Sequence, residues 1–313
     1  MNEFELIDAF VAAFHPPPPP LGPGDDCAVL PPTKATTCVT TDAVVEGVHF
    51  TRRAFSFEDV GHKALAVNLS DLAAMGARPT WALCALGLPT DVTVTQLRAV
   101  ARGMAALARL HEVQLLGGNV TRAKQLSLTL TLAGEIPRGR RPLLRSGAKP
   151  GDVLYTSGFL GDAAAALHLA TRRKPVPRAL ALAQRRPAPH LAWAQAAAPF
   201  ASAAIDVSDG LVQDLGHVCV ASGVGADVEG EALPLSPSLR DALAPELARQ
   251  LALTGGEDYV VLATVPERRA AAFERAMEQL RLDVHRLGRL SKVPGVRVDG
   301  LPFRGPGGFQ HRV

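Results

Sequence analysis

Apolar positions along the chain follow two periods, one typical of helices and one typical of strands. Spacings of three and four residues predict helices at about 3–14, 58–76, 94–111, 161–173 and 267–281. Alternating or short apolar runs predict strands at about 27–30, 35–41, Trp81–Leu88, 125–136, Asp152–Thr156, Ala204–Asp209 and Tyr259–Val265. Strands that alternate with helices in this way are typical of an α/β or α+β fold.

A stretch rich in Pro, Gly and Arg, Pro137–Pro150, separates two sets of predicted elements. Since 313 residues are enough for two hydrophobic cores, we expect an N-terminal α/β domain over 1–137 and a C-terminal α/β domain over 138–313. The five prolines Pro16–Pro20 end the first helix, because proline cannot continue one. They predict a stiff connector, with a proline-binding partner as the alternative.

Composition and charge exclude several classes of function. The net charge of +3 and the 5% aromatic content argue against nucleic-acid binding, despite the arginine cluster Arg138–Arg145. No apolar run approaches the roughly 18 residues that cross a membrane. The acidic N-terminus has no signal-peptide pattern. Together with four scattered cysteines that form no Cys-x-x-Cys pair, these features predict a cytoplasmic protein without zinc or disulfides.

Five short acidic signatures lie along the chain, most of them beside apolar runs. They are Gly24–Asp26, Thr40–Asp42, Asn68–Asp71, Asp206–Gly210 and Gly255–Asp258. A carboxylate next to buried apolar surface is costly unless a cation or hydrogen-bond donors meet it. Oxygen ligands of this kind favour Mg²⁺, which proteins usually hold together with substrate phosphates. The signatures therefore predict an enzyme that handles a polyphosphate, although the chain has no P-loop motif.

Each signature also has an ordinary structural interpretation. Asp71 shares a predicted helix face with Val67, so it is either a metal ligand or a cap on neighbouring backbone. Asp42 is expected at a strand end, as a ligand or as a turn former. Asp206–Gly210 predicts a strand-to-helix corner that could bind an anion, with Ser208 or Asp209 as a plain N-cap. Gly117–Asn119 is expected in a turn between strands.

Taken in order, these motifs resemble the thiamine-monophosphate kinases, which belong to the superfamily of aminoimidazole ribonucleotide synthetase and selenophosphate synthetase. The most specific stretches are Lys63–Ala77 and Arg145–Asp152, and the likeness runs from about residue 4 to the end. The resemblance implies a two-domain synthetase-like fold that forms a homodimer through its N-terminal domain. It also implies binding of ATP and Mg²⁺, and transfer of the γ-phosphoryl group of ATP to thiamine monophosphate.

The resemblance assigns roles to individual residues. The magnesium ligands that it implies are Asp26, Thr40, Thr41, Asp42, Asp71, Asp206 and Asp209. The ATP-contacting positions that it implies are Gly118, Asn119, Arg145 and Ser208, and the thiamine-side positions are His49, Glu257 and Phe309. Among these residues, the expected catalytic set is Asp42, Asp71, Arg145 and Asp209.

Two positions depart from the family pattern. Asn119 stands where the family usually has Asp, which removes a negative charge and predicts weaker magnesium binding. The C-terminal sequence around Phe309 also differs from the family's aromatic-Asp-His pattern. Two alternatives remain. One is a sister synthetase of the same superfamily. A selenophosphate synthetase is disfavoured, because Pro16–Pro20 occupies the region where that enzyme has a reactive cysteine. The other is a non-catalytic protein that binds nucleotide or thiamine phosphate.

Overall fold

The structure, a computed structural model, describes residues 3–18, 21–22, 27–28, 30–305 and 307–308. The chain divides into two compact units. The N-terminal unit comprises the described residues up to Leu72 together with Ala77–Arg138. The C-terminal unit comprises Ala73–Gly76 and the described residues from Gly139 onward. Each unit has its own sheet.

The N-terminal unit is built on a four-stranded sheet in the order β1-β4-β2-β3. Its elements are α1 (Glu3–Val11), β1 (Thr37–Val45), α2 (Phe57–Ala74, whose last two residues belong to the other unit), β2 (Arg78–Leu88), α3 (Val94–Leu110), β3 (Gln114–Arg122) and β4 (Ser127–Glu135). Strand β4 pairs antiparallel with β1 and β2, and β2 pairs parallel with β3. Alternate residues Leu128, Leu130 and Leu132 are completely buried, so one face of the sheet belongs to the core.

The C-terminal unit is built on a seven-stranded mixed sheet in the order β11-β10-β7-β9-β5-β8-β6. Its strands are β5 (Val153–Thr156), β6 (Ala203–Val207), β7 (Gly225–Val228), β8 (Val260–Val265), β9 (His285–Ser291), β10 (Gly295–Val298) and β11 (Leu301–Pro302). Its helices are α4 (Asp162–Thr171), α5 (Arg178–Arg185), α6 (Leu191–Ala197), α7 (Leu211–Ser222), α8 (Pro237–Ala242), α9 (Pro245–Thr254) and α10 (Glu267–Gln279). Every residue of β5, β6 and β8 is buried, so these strands are covered on both faces.

Most of the strongly periodic elements are confirmed. Helices α2, α3, α4 and α10 and strands β2, β4, β5, β6 and β8 lie where the pattern predicts them, with ends that differ by a few residues. The mixed α/β class is confirmed as well. No helix in the described part of the chain combines the length and the apolar character needed to cross a membrane.

Three local predictions were wrong, and the first helix, which is confirmed, is shorter than predicted. Thr40–Asp42 lies in the middle of β1 and not at its end, since the strand continues to Val45. Gly117–Asn119 lies inside β3 and not in a turn, because paired strands tolerate glycine where two backbones approach closely. The first helix ends at Val11. In the predicted strand at 27–30, the described residues 27, 28 and 30 are not in a strand.

Strand β3 contains two adjacent glycines, and the packing of the sheet requires the second, Gly118. It pairs with Cys84 of β2, and a Cβ added to it would lie 1.8 Å from the Cys84 carbonyl oxygen. A Cβ on the neighbouring Gly117 would meet nothing closer than Leu83 Cδ2 at 3.6 Å. The sheet therefore requires glycine at position 118 for space, and tolerates a methyl group at 117.

We expect Gly118→Ala to lower the free energy of unfolding by about 1–3 kcal/mol, because the added methyl group forces β2 and β3 apart. Gly117→Ala is the matched control and should change stability by a few tenths of that amount. Chemical denaturation of both variants measures the difference. Equal stabilities of the two variants would contradict this packing.

Candidate functional site

Strand β1 and helix α2 bring two of the predicted ligands together in the N-terminal unit. The Thr40 hydroxyl donates a hydrogen bond to Asp71 Oδ2 over 2.5 Å. Asp71 is half-buried on α2, and Asp42 is exposed on β1. Since strand side chains alternate, Thr40 and Asp42 lie on the same face of β1, the face that meets α2. The side of β1 that meets α2 therefore presents one hydroxyl and one carboxylate of β1, together with one carboxylate of α2.

Thr41 lies on the opposite face of β1. Its hydroxyl donates to the Leu130 carbonyl oxygen over 2.9 Å and accepts from the Thr131 hydroxyl over 3.2 Å. The structure therefore separates the Thr41 side chain from Thr40 and Asp71. The sequence alone could have indicated this separation, because adjacent residues of one strand never share a face.

The chain that follows β1 fixes the orientation of His49. Its Nδ1 accepts a hydrogen bond from the Val45 backbone N–H over 3.1 Å, so a neutral ring carries its proton on Nε2. The His49 carbonyl oxygen accepts from Lys63 Nζ over 3.2 Å. Lys63 is completely buried, and its ammonium lies 5.2 Å from the centre of the Phe55 ring. The half-buried His49 ring is thus held in a defined orientation.

Gly118 and Asn119 lie on β3, at one edge of the four-stranded sheet. Asn119 pairs with Ala85 of β2, and its side chain is exposed. An exposed amide on an edge strand can meet a polar ligand without losing a buried partner. The structure places Asn119 on a strand, where the direction of its side chain is set by the pleat.

In the C-terminal unit, Asp206–Gly210 forms the predicted corner between β6 and α7. Asp206 is buried at the end of β6, and α7 begins at Leu211. The alternative of a plain N-cap was wrong, because the N-cap residue is Gly210 and no side chain caps the helix there. The oxygen acceptor comes instead from within the helix, where the Asp214 Oδ2 accepts from the backbone N–H groups of Ser208, Asp209 and Gly210 over 3.0, 3.0 and 3.1 Å.

Sequence reasoning missed Asp214. Its position four residues after Gly210 was a usable signal, since an acidic residue in the first turn of a helix can meet unpaired N–H groups. Burial raises the pKa of the Asp214 carboxyl to about 6, although the three backbone donors act in the opposite direction. The Asp209 carboxylate accepts from Gln213 Nε2 over 3.0 Å, so the same helical turn contacts both the backbone and the side chain of the corner.

The acidic signature at Gly255–Asp258 packs directly against this corner. The Glu257 backbone N–H donates to the Ser208 carbonyl oxygen over 2.7 Å, and the Tyr259 N–H donates to that of Val207 over 2.8 Å. A Cβ on Gly256 would lie 2.6 Å from the Ser208 carbonyl oxygen, so glycine is required there. Two signatures almost fifty residues apart in sequence thus form one assembly.

Asp258 anchors this second segment. Its Oδ2 accepts from the Gly161 backbone N–H over 2.8 Å, just before α4. Burial raises the pKa of the Asp258 carboxyl well above its usual value. On either side of it, Glu257 and Tyr259 have φ angles of 71° and 52°. Non-glycine residues rarely adopt this left-handed region, and strain of this kind is concentrated at functional sites.

The remaining predicted residues are Arg145, Asp26 and Phe309. Arg145 is exposed, and its carbonyl oxygen accepts from the Ser222 hydroxyl over 3.0 Å. Asp26 and Phe309 lie outside the described residues. Within the described residues, no three His, Cys, Asp or Glu side chains form a group that could hold a metal ion. The ligand assignments therefore stay predictions.

Two surface depressions of the C-terminal unit, of about 450 and 430 Å³, contain none of the predicted site residues. The first lies between Gly230 and Arg249, and the second adjoins Arg140, Arg141 and Arg269. Neither depression therefore coincides with the residues that the sequence predicts for the site.

Comparisons with known proteins identify the family of the chain. The family described as AIR synthase related protein matches with its N-terminal domain at residues 24–136 and its C-terminal domain at residues 149–300. A thiamine-monophosphate kinase of Salmonella typhimurium is 45% identical over 288 residues, which are 90% of this chain and 86% of the relative.

Solved structures give the same result. The crystal structure of thiamine-monophosphate kinase from Stenotrophomonas maltophilia K279a has a TM-score of 0.87 and 40% identity, covering 97% of this chain and 98% of that one. AaThiL complexed with AMPPCP and TMP has a TM-score of 0.79 and 34% identity, covering 90% of each chain. Both domains of the AIR synthase related family match in order, and thiamine-monophosphate kinases are similar along nearly the whole chain. The chain therefore belongs to the thiamine-monophosphate kinases, among the AIR synthase related proteins.

Proposed function

We propose that this protein phosphorylates thiamine monophosphate with ATP, giving thiamine diphosphate and ADP. The observation that carries the proposal is the complex of AaThiL with AMPPCP and TMP, in a protein that is 34% identical over 90% of both chains. AMPPCP has the triphosphate chain of ATP with a methylene group in place of one bridging oxygen. The acidic signatures of this chain fit the same pair of phosphorylated reactants.

The donor set fits magnesium. Thr40, Asp42 and Asp71 of the N-terminal unit offer a hydroxyl and carboxylates, and Asp206 and Asp209 of the C-terminal unit offer two further carboxylates. Oxygen ligands of this kind suit Mg²⁺. We propose these five residues as ligands, together with Asp26. The family resemblance also implies Thr41, but its side chain lies on the opposite face of β1 from Thr40 and Asp71. When bound, Mg²⁺ would neutralise phosphate charge and orient the reacting groups.

The residues of the chain would act by positioning and electrostatics. The phosphate of thiamine monophosphate has a second pKa of about 6, so the attacking oxygen is already ionised at neutral pH and needs no general base. Arg145 would bind the phosphates of ATP through two parallel N–H groups. Gly118, Asn119 and Ser208 would contact ATP. Alignment of two anionic reactants in this way supplies most of the rate enhancement in phosphoryl transfer.

His49, Glu257 and Phe309 would contact the thiamine side of the acceptor. The orientation of the His49 ring is fixed, because its Nδ1 accepts a hydrogen bond from the Val45 backbone N–H. The Glu257 backbone is held in the left-handed region by its bond to Ser208. A carboxylate at that position suits the cationic thiazolium ring of thiamine. Phosphate donor and acceptor would thus be bound by residues of different motifs.

Asn119 favours one alternative, a protein that binds nucleotide or thiamine phosphate without turnover. Its amide lacks the charge that the family's usual Asp would contribute. Calorimetry with AMPPCP and thiamine monophosphate, beside a turnover assay, separates binding from catalysis.

We propose that the enzyme is a homodimer formed through the N-terminal sheet. The face opposite the core exposes Val39 on β1 and Leu83 on β2, with 60% and 37% of their surface accessible. Thr41 and Thr131 lie on the same face. An exposed sheet face that carries apolar side chains beside hydroxyl groups is typical of a contact surface.

The four cysteines are free thiols, two of them buried. This state supports a reducing compartment, and we propose the cytoplasm as the location of the enzyme. Fractionation of cells with an antibody to the protein tests the assignment.

We expect the wild-type protein to convert thiamine monophosphate to thiamine diphosphate when incubated with ATP and Mg²⁺, as measured by chromatography. Asp71→Asn should lower kcat by about 100-fold or more, because it removes a charge that faces the phosphates. Asp241→Asn, an exposed aspartate of α8, is the control and should keep wild-type turnover. Near wild-type turnover of Asp71→Asn at limiting Mg²⁺ would contradict the ligand assignment.

Asn119→Asp should lower the Mg²⁺ concentration that gives half-maximal rate, because it restores a negative charge beside the metal site. A magnesium titration of turnover at saturating ATP and thiamine monophosphate measures the shift. The exposed position of Asn119 on β3 means that the replacement carries little cost in stability. An unchanged magnesium dependence would show that Asn119 lies outside the metal site.

Leu83→Glu should convert the dimer into a monomer, because it places a charge in the centre of the proposed contact face. Leu110→Glu is the matched control, since Leu110 is 73% exposed at the end of α3, away from the sheet face. Sedimentation equilibrium distinguishes the two states. A wild-type monomer, or a dimer in both variants, would refute the proposed interface.

A further inference from the structure

We propose that Asp214 is a positioning residue: its carboxylate holds the backbone of the turn Ser208–Gly210 and thereby sets the direction of the Asp209 side chain. The inference rests on the proposed function, in which Asp209 and Ser208 contact magnesium and ATP. It concerns a residue outside the acidic signatures, on the first turn of α7.

The geometry of the three hydrogen bonds carries the inference. One oxygen, Asp214 Oδ2, accepts from three consecutive backbone N–H groups over 3.0, 3.0 and 3.1 Å. These residues lie between the last residue of β6 and the first residue of α7, outside the ladder of either element. Asp214 is 3% exposed, so the three donors converge on a carboxylate that is shielded from solvent. Bonds from N–H groups to a carboxylate are stronger than those to a neutral acceptor.

The turn is held from its other side by main chain. The Ser208 carbonyl oxygen accepts from the Glu257 N–H over 2.7 Å, and the Gly256 backbone lies so close to the turn that a Cβ added there would be 2.6 Å from the same oxygen. The Ser208 N–H points to Asp214 while its C=O points to Glu257. One peptide plane on each side of Ser208 is thus fixed by a different part of the fold.

The neighbouring residue completes the arrangement. Gln213 Nε2 donates to Asp209 Oδ2 over 3.0 Å. Asp214 therefore holds the Asp209 backbone and Gln213 contacts its carboxylate, both from the first turn of α7. One Asp209 oxygen is directed by this contact before any ligand binds, which is the preorganisation that electrostatic catalysis requires.

A purely structural role for Asp214 makes a different prediction. In that case its loss would lower stability and leave kcat per folded molecule unchanged. A positioning role predicts a loss of kcat, and a loss of the stabilisation that a magnesium–nucleotide complex confers on the folded protein. The two roles therefore separate when kinetics and ligand-induced stabilisation are measured together.

The experiment compares Asp214→Ala and Asp214→Asn with the wild-type protein. Asp214→Ala leaves three N–H groups without their acceptor and should lower kcat at least tenfold, with KM for thiamine monophosphate changed less than twofold. Asp214→Asn keeps an oxygen of the same reach and should recover most of the loss. Asp299→Ala is the control, because Asp299 also accepts a backbone N–H, that of Gly230 over 2.8 Å, outside every candidate motif.

Thermal unfolding with and without AMPPCP and Mg²⁺ gives the readout that is independent of turnover. The increase in Tm should shrink by at least half in Asp214→Ala and persist in Asp214→Asn and Asp299→Ala. If Asp214→Ala does not fold, Asp214→Glu replaces it, since it keeps the charge but displaces the oxygen by one methylene group. That variant should fold and show the same loss of kcat and of nucleotide-induced stabilisation.

The outcomes separate the inference from the proposed function. Wild-type kcat and wild-type stabilisation by AMPPCP in Asp214→Ala, or in Asp214→Glu where it replaces Asp214→Ala, would overturn the inference alone. A wild-type protein that AMPPCP and Mg²⁺ stabilise but that makes no thiamine diphosphate would overturn the proposed function, and the stabilisation data would still decide the role of Asp214. A wild-type protein that gains no stability from AMPPCP and Mg²⁺ would overturn both.

Discussion

Buried carboxylates that accept backbone N–H groups are the interaction on which the C-terminal unit depends. Asp214 accepts three such donors and Asp258 accepts the Gly161 N–H, each at a corner between elements. A carboxylate without donors would be too costly to bury, and N–H groups in a turn would otherwise lack partners. In each corner the N–H groups supply the donors that the carboxylate requires, and the carboxylate supplies the acceptor that the N–H groups require. The corners are consequently rigid, although they contain no regular structure.

The two units hold their polar groups in place by different means. In the N-terminal unit, regular elements carry the polar groups: Thr40 on a strand meets Asp71 on a helix, and the buried Lys63 holds the carbonyl oxygen of His49. In the C-terminal unit, backbone groups of separate segments hydrogen-bond to each other, and Glu257 lies in the left-handed region. Both arrangements direct oxygen and N–H groups before a ligand arrives, which suits the transfer of a phosphoryl group between two anions.

Close approach of two backbones explains the positions of two glycines. Gly256 is required by the 2.6 Å approach of the Ser208 carbonyl oxygen to its missing Cβ, and Gly118 by the corresponding approach of Cys84 at 1.8 Å. In each case a candidate ligand-binding residue, Glu257 or Asn119, follows directly in the sequence. In both motifs, a glycine that allows two backbones to approach closely is thus followed by a residue with a polar side chain.

The sequence by itself determined the α/β class, the long helices α2 and α3, the buried strands and the family, because hydrophobic period and the order of the motifs survive without coordinates. It also predicted oxygen ligands at the acidic signatures, and this assignment stays a prediction. Only the tertiary structure decided that Thr40 and not Thr41 meets Asp71, that Gly118 and Asn119 lie in a strand, and that Asp214 supports the corner at Asp209. These facts depend on strand register and on contacts between distant residues, and a linear pattern contains neither.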